Sequence, residues 1–274
     1  MASKLEETAL SAARAAGRVH LRWLNRTRIT RKSNAIDLVT EADQEAERAV
    51  IRRLRRTFPS HAILAEESGA DGGGASGHRW IIDPVDGTTN FAHGYPNFCV
   101  SIAYERKGRV ELGVVLDAYR KECFLGIRRR GARLNGARIR TSRTPKLEHA
   151  LLGTGFAYDR RERRHFYFAF WEAFMMRVQG IRRSGSAALD LCNVACGRFD
   201  AFWEFSLKAW DVAAGALIIE EAGGQVTNAD GSALGLDAGN IMASNGILHA
   251  EMLATLKKVW PEAERRFVEA RPAP

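Results

Sequence analysis

Two aspartates three residues apart give the strongest chemical signal in the sequence. An apolar run at 80–82 leads into Asp83, and the proline and glycine within 84–87 predict a tight turn that places Asp86 beside Asp83. Residues 88–90 are suited to open a helix after this turn. Two carboxylates beside a helix N-terminus can hold a cation, while the free N–H groups of the helix face an anion such as phosphate.

A plain turn, in which both aspartates cap backbone N–H groups, is the alternative interpretation. The wider pattern argues against it, because further acids stand in similar places along the chain. Glu66 and Glu67 follow a short apolar run at 62–65, and Asp211 follows Trp210. Neighbouring carboxylates raise one another's pKa unless a cation neutralises them. A site rich in carboxylate oxygens suits magnesium, and the sequence offers no His cluster or Cys pair that would favour zinc.

Hydrophobic periodicity predicts the elements that would position these acids. The predicted elements of the first half are helices at 5–25 and 40–57, short strands at 62–65 and 79–82, and strands at 98–104, 110–116 and 122–127. The last three strands predict an antiparallel meander, and Asn135-Gly136 predicts a hairpin. The polar, glycine-rich stretch 71–77 predicts a surface loop.

Strands and helices alternate in the second half, which is typical of stacked sheets and helices. The predicted elements are strands at 150–154, 201–204 and 225–227, and helices at 163–177, 187–196 and 212–222. The stretch 141–145 predicts a boundary between a region 1–145 with most of the acids and a region 146–274 with Asp211. The tail from residue 260 is polar and contains proline, so we expect a loose end.

The net charge of the 274-residue chain is +9, and arginine carries most of it. Arginine clusters lie at 52–56, 128–130 and 160–164. They could attract phosphorylated substrates or RNA, or they could be solvated surface. Because the clusters are scattered along the chain, the sequence favours the surface interpretation.

Neither the cysteines nor the hydropathy predicts secretion. Cys192 and Cys196 would share a helix face, but with Cys99 and Cys123 they are better interpreted as free thiols than as a metal pair. No apolar run could span a bilayer, and residues 1–10 lack a signal-peptide core. We therefore expect a cytoplasmic protein without membrane contact.

Four motifs in order resemble the inositol monophosphatase family over about residues 5–260. The motifs are Asp37-Leu38-Val39-Thr40 with Asp43, Ala65-Glu66-Glu67-Ser68, Asp83-Pro84-Val85-Asp86-Gly87-Thr88-Thr89-Asn90-Phe91, and Trp210-Asp211-Val212-Ala213-Ala214-Gly215 followed by Glu220-Glu221-Ala222-Gly223-Gly224. The resemblance implies a layered α+β (α/β) sandwich in the order α-β-α-β-α, like inositol monophosphatase and fructose-1,6-bisphosphatase. It also implies a homodimer, a magnesium-dependent phosphatase activity and inhibition by lithium.

The same resemblance implies a set of metal ligands. Glu66, Asp83 and the backbone carbonyl of Val85 are expected to hold a first magnesium ion. Asp83, Asp86 and Asp211 are expected to hold a second. Glu66 would contact a third ion through water, so the site would take two or three ions.

Catalytic and phosphate-binding roles follow from the resemblance as well. Asp43 and Thr88 are expected to orient the water that attacks phosphorus, with Glu66 in the same catalytic group. Thr88 could also be the N-cap of its helix, and we expect it to serve both roles. The N–H groups of Gly87 and Thr88 would grip phosphate oxygens. Lys32 matches a family lysine on a loop near the site.

Selectivity for the alcohol is expected to come from the second half of the chain. Gly185, Ser186 and Ala187 resemble the family's loop and helix start beside the substrate, and Asp211 would also contact it. Glu204 matches a family glutamate that accepts hydrogen bonds from sugar-like hydroxyls, although an ordinary exposed acid is the alternative.

The sequence leaves several substrates open. Inositol monophosphate is favoured, with histidinol phosphate and fructose 1,6-bisphosphate as alternatives. The nucleotide class of the superfamily has Lys-Glu where Thr89-Asn90 stands here, which disfavours 3'-phosphoadenosine 5'-phosphate. A hypothesis of another class is an accessory protein for RNA or the transcription machinery, which the basic charge permits although no RNA-binding motif is present.

Overall fold

The structure is a computed structural model that describes residues 3–26, 29–31, 38–71 and 77–269. The helices are α1 Lys4–Trp23, α2 Glu41–Thr57, α3 Thr88–Ala92, α4 Arg164–Met175, α5 Ala187–Ala195, α6 Ala209–Glu221 and α7 His249–Glu269. The strands of the first half are β1 Ile29–Arg31, β2 Leu38–Thr40, β3 Ala62–Ala65, β4 Gly69–Asp71, β5 His78–Asp86, β6 Cys99–Arg106, β7 Arg109–Asp117, β8 Glu122–Ile127, β9 Gly131–Leu134 and β10 Ala137–Arg138. The strands of the second half are β11 Leu151–Thr154, β12 Gly180–Arg182, β13 Ala201–Glu204, β14 Gln225–Asn228 and β15 Ile241–Ser244.

An eight-stranded sheet has the order β10-β9-β8-β7-β6-β5-β3-β4, and only the β3–β5 pair in it is parallel. Its strands bury both faces, with successive side chains entering different cores. Trp80 and Ile82 join the core against α1 and α2, whereas Ile81 between them joins the core around α5 and α6. The sheet is therefore covered by helices on both sides.

A five-stranded sheet has the order β12-β11-β13-β15-β14. Like the larger sheet, it is covered by helices on both sides. Phe202 packs into the core with α5 and α6, and Trp203 packs on the opposite face against α4 and α7. The layers are thus α1/α2, the larger sheet, α5/α6, the smaller sheet and α4/α7. This order confirms the predicted α-β-α-β-α sandwich.

Most predicted elements are confirmed with shifted ends, the predicted end of one strand is wrong, and several elements were not predicted. β6, β7 and β8 form the predicted meander, and Asn135 and Gly136 form the hairpin turn with positive φ angles of 51° and 85°. However, β5 does not end at Asp83 but continues to Asp86. Helix α7 runs through Pro261 to Glu269, and the expected loose end beyond it lies outside the described residues. The elements that were not predicted are β1, β2, β4, β12, β15 and α7.

The two sheets lie on either side of the predicted boundary at 141–145. As separate units, the ranges 1–145 and 146–274 stay a prediction. Within the described part of the chain, no helix combines the length and apolar character needed to cross a membrane. The cysteines are free, as predicted, but only Cys99 and Cys192 are fully buried.

Helix α6 lies directly against the backbone of the larger sheet, because β7 and β8 present glycines to it. A Cβ atom on Gly113 would lie 2.7 Å from the carbonyl oxygen of Ala214, and one on Gly126 would lie 3.0 Å from the Cα of Ile218. Any larger residue would push the helix outward. This contact matters for the site, since α6 carries Asp211 in its first turn.

We predict that Gly113→Ala lowers the free energy of unfolding by about 1–3 kcal/mol, the usual range for overpacking a filled core. Thermal or urea unfolding measures the change. Gly235→Ala is the matched control, because the nearest atom to its new Cβ would be 3.7 Å away. Equal stability of the two variants would contradict this close approach.

Candidate active site

A bulge in β5 brings Asp83 and Asp86 to the same side of the sheet. Asp83 pairs with Ser101 and Asp86 pairs with Cys99, so three steps along β5 match two steps along β6. In a regular strand, residues three apart face opposite sides, and the extra residue of the bulge removes that alternation. Oxygen atoms of Asp83, Asp86 and Asp211 lie within 4.8 Å of one another. The proximity expected from a turn is therefore produced by a bulge.

His20 of α1 forms a hydrogen bond with the backbone inside the bulge. Its Nε2 lies 2.8 Å from the carbonyl oxygen of Pro84, inside the strand irregularity. Burial lowers the pKa of His20 to about 4, so the ring is neutral and donates through Nε2. The sequence analysis missed His20, because a single histidine on an apolar helix face carries no motif.

The N-terminus of α5 holds Asp86. Ser186 Oγ and the Ala188 N–H both donate to Asp86 Oδ2, at 2.6 and 2.7 Å. Burial raises the pKa of Asp86 to about 6, although these two hydrogen bonds favour the charged form. Ser186 and Ala187, expected near the substrate, are thus also a support for this carboxylate.

Asp211, on α6, approaches Asp83 and Asp86 from the layer of helices between the two sheets. It is half-buried at the third position of α6, and its Oδ2 accepts the Lys208 N–H at 2.6 Å. Burial, followed by the charge of Asp86, raises its pKa well above the usual range. The capping geometry therefore aims Asp211 at the other two aspartates.

Glu66 lines the same cavity but lies outside the group of three aspartates. It follows β3, and its N–H donates to the carbonyl oxygen of Ile82 at 3.1 Å. Its carboxyl group hydrogen bonds with Asp83, whose pKa is raised well above the usual range by burial and then by the charge of Glu66. The parallel pairing of β3 and β5 explains why the two acids meet.

Asp43 and Thr88 form a buried hydrogen-bonded pair. The N–H and hydroxyl of Thr40 donate to Asp43 Oδ2 at 2.8 and 2.5 Å, in the capping box that starts α2. Thr88 Oγ1 lies 3.0 Å from both Asp43 Oδ1 and the carbonyl oxygen of Val85. Burial raises the pKa of Asp43 to about 6. The residue is therefore both a helix cap and a group of the site.

The expectation that Thr88 caps its helix is wrong. Gly87 occupies the N-cap position of α3 with φ of 98°, and no side chain caps this helix. A Cβ on Gly87 would meet the Asn97 carbonyl oxygen at 2.8 Å, so both its angle and its space require glycine. The Thr88 hydroxyl is consequently available to Asp43 and Val85.

These residues share a cavity of about 370 Å³ with the predicted selectivity residues. The cavity is lined by the acidic residues Glu66, Asp83, Asp86, Glu204 and Asp211, by Val85, Gly87, Thr88, Gly185, Ser186 and Ala187, and by Phe156, Tyr158, Arg183 and Lys208 among others. The structure thus brings together all predicted site residues except Asp43, which lies behind Thr88, and Lys32, which is outside the described residues.

Glu204 lies at the end of β13 and is only 9% exposed, so it is not an ordinary surface acid. Burial raises its pKa to about 8, while the charge of Arg183 acts in the opposite direction. A Cβ on Gly155 would lie 2.0 Å from Glu204 Oε1, so glycine is needed beside it. No sequence motif pointed to Arg183, which lines the cavity beside Glu204, or to the buried Asp190 behind it, whose charge would act on Glu204.

The donor set fits a divalent cation. Carboxylates with a nearby backbone carbonyl offer the hard oxygen ligands that magnesium and calcium take, and no cysteine or histidine lines this cavity. The buried negative charges repel one another unless a cation offsets them.

The fold and site are those of a known class of phosphatases: a layered α/β sandwich with converging carboxylates at a single cavity. The chain belongs to the inositol monophosphatase family, whose sequence profile matches residues 1–261.

Similar proteins carry two kinds of name. A protein of Pseudomonas aeruginosa named Nus factor SuhB is 46% identical over 264 residues, covering 94% of this chain and 97% of its own. A Synechocystis protein named inositol-1-monophosphatase is 44% identical over 266 residues, covering 97% of this chain and 92% of its own.

Solved structures agree with the fold. The extragenic suppressor protein suhB of Bartonella henselae has a TM-score of 0.89 at 39% identity, covering 93% of this chain and 99% of its own. An IMPase/NADP phosphatase in complex with Mg²⁺ and phosphate has a TM-score of 0.80 at 26% identity, covering 92% of this chain and 94% of its own.

We predict that magnesium stabilises the protein more as pH rises. Asp43 and Asp86 have pKa values raised from 3.8 to about 6, so the metal-free fold loses stability as pH rises through that range. A bound cation offsets these charges. The gain in melting temperature on adding magnesium should be small at about pH 5 and larger by several degrees at about pH 8.

Differential scanning calorimetry with and without chelator measures this gain. Asp86→Asn is expected to flatten its pH dependence. A gain of equal size at every pH in the unmodified protein would show that magnesium does not act on these carboxylates.

Proposed function

We propose that this protein hydrolyses small phosphomonoesters with magnesium, and that inositol monophosphate is its preferred substrate class. The observation that carries the proposal is one cavity with Asp83, Asp86 and Asp211 at one end and the buried Glu204 in another wall. The first group suits a metal and a phosphate. Glu204 suits the hydroxyl groups of an alcohol.

The proposed metal ligands are those implied by the family motifs. Glu66, Asp83 and the carbonyl of Val85 would hold one ion, and Asp83, Asp86 and Asp211 a second, with a third near Glu66. The solved relative in complex with Mg²⁺ and phosphate supports this choice of cation. Magnesium in such a site lowers the pKa of water and offsets negative charge on the phosphoryl oxygens.

The chain's own groups would orient the reactants. Asp43 and Thr88 are proposed to hold the attacking water, because the Thr88 hydroxyl donates toward Asp43 or Val85 and keeps a lone pair to accept from water. The N–H groups of Gly87 and Thr88 would bind phosphate oxygens. The alcohol would then lie toward Gly185, Ala187 and Glu204.

We predict that activity requires magnesium and is lost with chelator. Asp86→Asn should reduce kcat by at least about a hundredfold, because it removes a charged group from the proposed metal site. Phosphate release from inositol 1-phosphate measures this change.

Asp237→Asn, an exposed aspartate away from the cavity, is the matched control and should stay fully active. Circular dichroism establishes that both variants fold. Activity in metal-free buffer would overturn the proposal.

We predict that Glu204→Gln selectively impairs polyol substrates. The change keeps the shape but removes an acceptor that is charged only above its pKa of about 8. In assays at about pH 8.5 the loss should cost about 1.5–3 kcal/mol, or roughly ten- to a hundredfold in kcat/KM, for inositol 1-phosphate. An aryl phosphate has no hydroxyl to lose, so its hydrolysis should change little. Equal loss on both substrates would make Glu204 structural, and no loss on either would favour histidinol phosphate as the next substrate.

A second candidate function is an accessory role for RNA or the transcription machinery. Two observations favour it: the relatives named Nus factor SuhB, and a basic groove between α1 and α2 lined by Arg18, Arg22, Arg52 and Arg53. Arg22 pairs with Glu45, and Arg53 donates to Ser11 at 2.6 Å. Within the described ranges, Arg18 and Arg52 have no ion-pair partner, so they could contact phosphates of a nucleic acid.

We predict that Arg18→Gln with Arg52→Gln weakens RNA binding without changing phosphatase activity. Losing two phosphate contacts should reduce the slope of log K against log salt by about 1.4 for single-stranded RNA. Fluorescence anisotropy over a salt series measures the slope. Arg140→Gln with Arg143→Gln removes the same charge elsewhere as a control, and an equal effect of both pairs would mean that only net charge matters.

The homodimer and the cytoplasmic location are also proposals. Support for the dimer is the family resemblance, and a role at the transcription machinery would place a bacterial protein in the cytoplasm.

A further inference from the structure

Arg183 lies in the wall of the cavity beside Glu204, although no motif pointed to it. It follows β12 and lines the cavity together with Gly185 and Glu204. Its Nη2 donates to the carbonyl oxygen of Phe156 at 3.3 Å. This contact holds the guanidinium over the segment that follows β11, although the side chain is otherwise exposed.

One short segment of backbone positions both charged groups. Gly155 gives Glu204 its space, since any Cβ there would overlap the carboxylate, and the next residue, Phe156, accepts from Arg183. The two side chains therefore approach the same cavity from adjacent points. Both are among the described residues, and they form no direct ion pair with each other. A group of the substrate can lie between them.

The base of Arg183 is fixed from inside the fold. Asp190 is 1% exposed and hydrogen bonds with Ser184, and burial raises the pKa of this carboxyl well above its usual range. The Ser184 carbonyl accepts from Asn90 and Asn97 at 2.9 and 3.1 Å. The backbone next to Arg183 is thus bound to α5 and to the loop after α3, while the guanidinium itself is held by its hydrogen bond to Phe156.

We propose that Arg183 and Glu204 together read two neighbouring hydroxyl groups of the alcohol. Glu204 accepts a hydrogen bond from one hydroxyl, and Arg183 donates to the oxygen of the next. The protein would thereby select phosphate esters of vicinal polyols over esters of alcohols that lack the second hydroxyl. This inference rests on the proposed phosphatase function and makes Arg183 a specificity-determining residue for it.

The charge of Arg183 disfavours an ammonium group at this wall. An ammonium group, as in histidinol phosphate, would meet the guanidinium and be repelled. A hydroxyl group is both a donor and an acceptor, and it satisfies both side chains without adding charge.

Steady-state kinetics with two substrates tests this pairing. The substrates are inositol 1-phosphate and cyclohexyl phosphate, which has the same ring without hydroxyls. The variants are Arg183→Met, which removes the guanidinium and keeps length, and Arg183→Lys, which keeps charge without the planar fork. Arg182→Met is the matched control, because Arg182 is exposed and does not line the cavity.

We expect Arg183→Met to lower kcat/KM for inositol 1-phosphate about tenfold, mainly through KM, and to leave cyclohexyl phosphate within about twofold. Arg183→Lys should recover part of the loss, and Arg182→Met should match the unmodified protein. Hydrolysis of histidinol phosphate by Arg183→Met should stay equal or improve.

Three results would overturn the inference: equal loss on both substrates, no loss on either, or the same change in Arg182→Met. Light scattering is measured on each variant, because a changed mass with equal loss would assign Arg183 to a contact between copies. If the unmodified protein hydrolyses neither ester with magnesium, the proposed function itself fails, and that result is distinct from a failure of Arg183 alone.

Discussion

Repulsion among buried carboxylates is the constraint on which the rest of this structure depends. Asp83, Asp86 and Asp211 converge within 4.8 Å, with Glu66 hydrogen bonded to Asp83. Such a group raises the pKa of its members and weakens the fold unless a cation or protons offset the charge. The surrounding core must supply the free energy that keeps the acids together. Three apolar clusters on successive layers do this.

The acids come from different elements, so their positions depend on how the layers pack. Asp83 and Asp86 lie on one strand, Asp211 lies on α6, and α5 holds Asp86 through Ser186. The absence of side chains at Gly113 and Gly126 sets the distance between α6 and the sheet. Both glycines therefore influence where α6 places Asp211, although neither lines the cavity.

Much of this arrangement could be predicted from sequence, because local signals agree with the fold. The apolar run of β5 and the capping pattern at Thr40 and Asp43 each depend on a few adjacent residues. The bulge could not be predicted in this way. A turn and a bulge use the same proline and glycine, and only pairing with β6 distinguishes them.

Residues whose contacts join distant parts of the chain could not be predicted from the sequence for the same reason. His20 contacts Pro84 over 64 positions, and no local pattern encodes that contact. Arg183 was not predicted because its neighbours in sequence are another arginine and a serine, a composition typical of an exposed surface segment. Helix α7 was not predicted, because its last part is polar and contains Pro261, whereas packing against the smaller sheet and α4 carries the helix past this proline.

Chemistry and selectivity are separated between the two sheets. The larger sheet carries the groups that suit metal and phosphate, whose positions are fixed by strand pairing and by a glycine with φ of 98°. The smaller sheet and the segments next to it carry Glu204, Gly155 and Arg183, which depend on loop ends rather than on strand register. Loop ends tolerate substitution better than paired strands do. Under the proposed function, a change of alcohol would therefore need only a few replacements at 155–158, 183 and 204, while a change of the proposed metal site would disturb the sheet, α5 and α6 together.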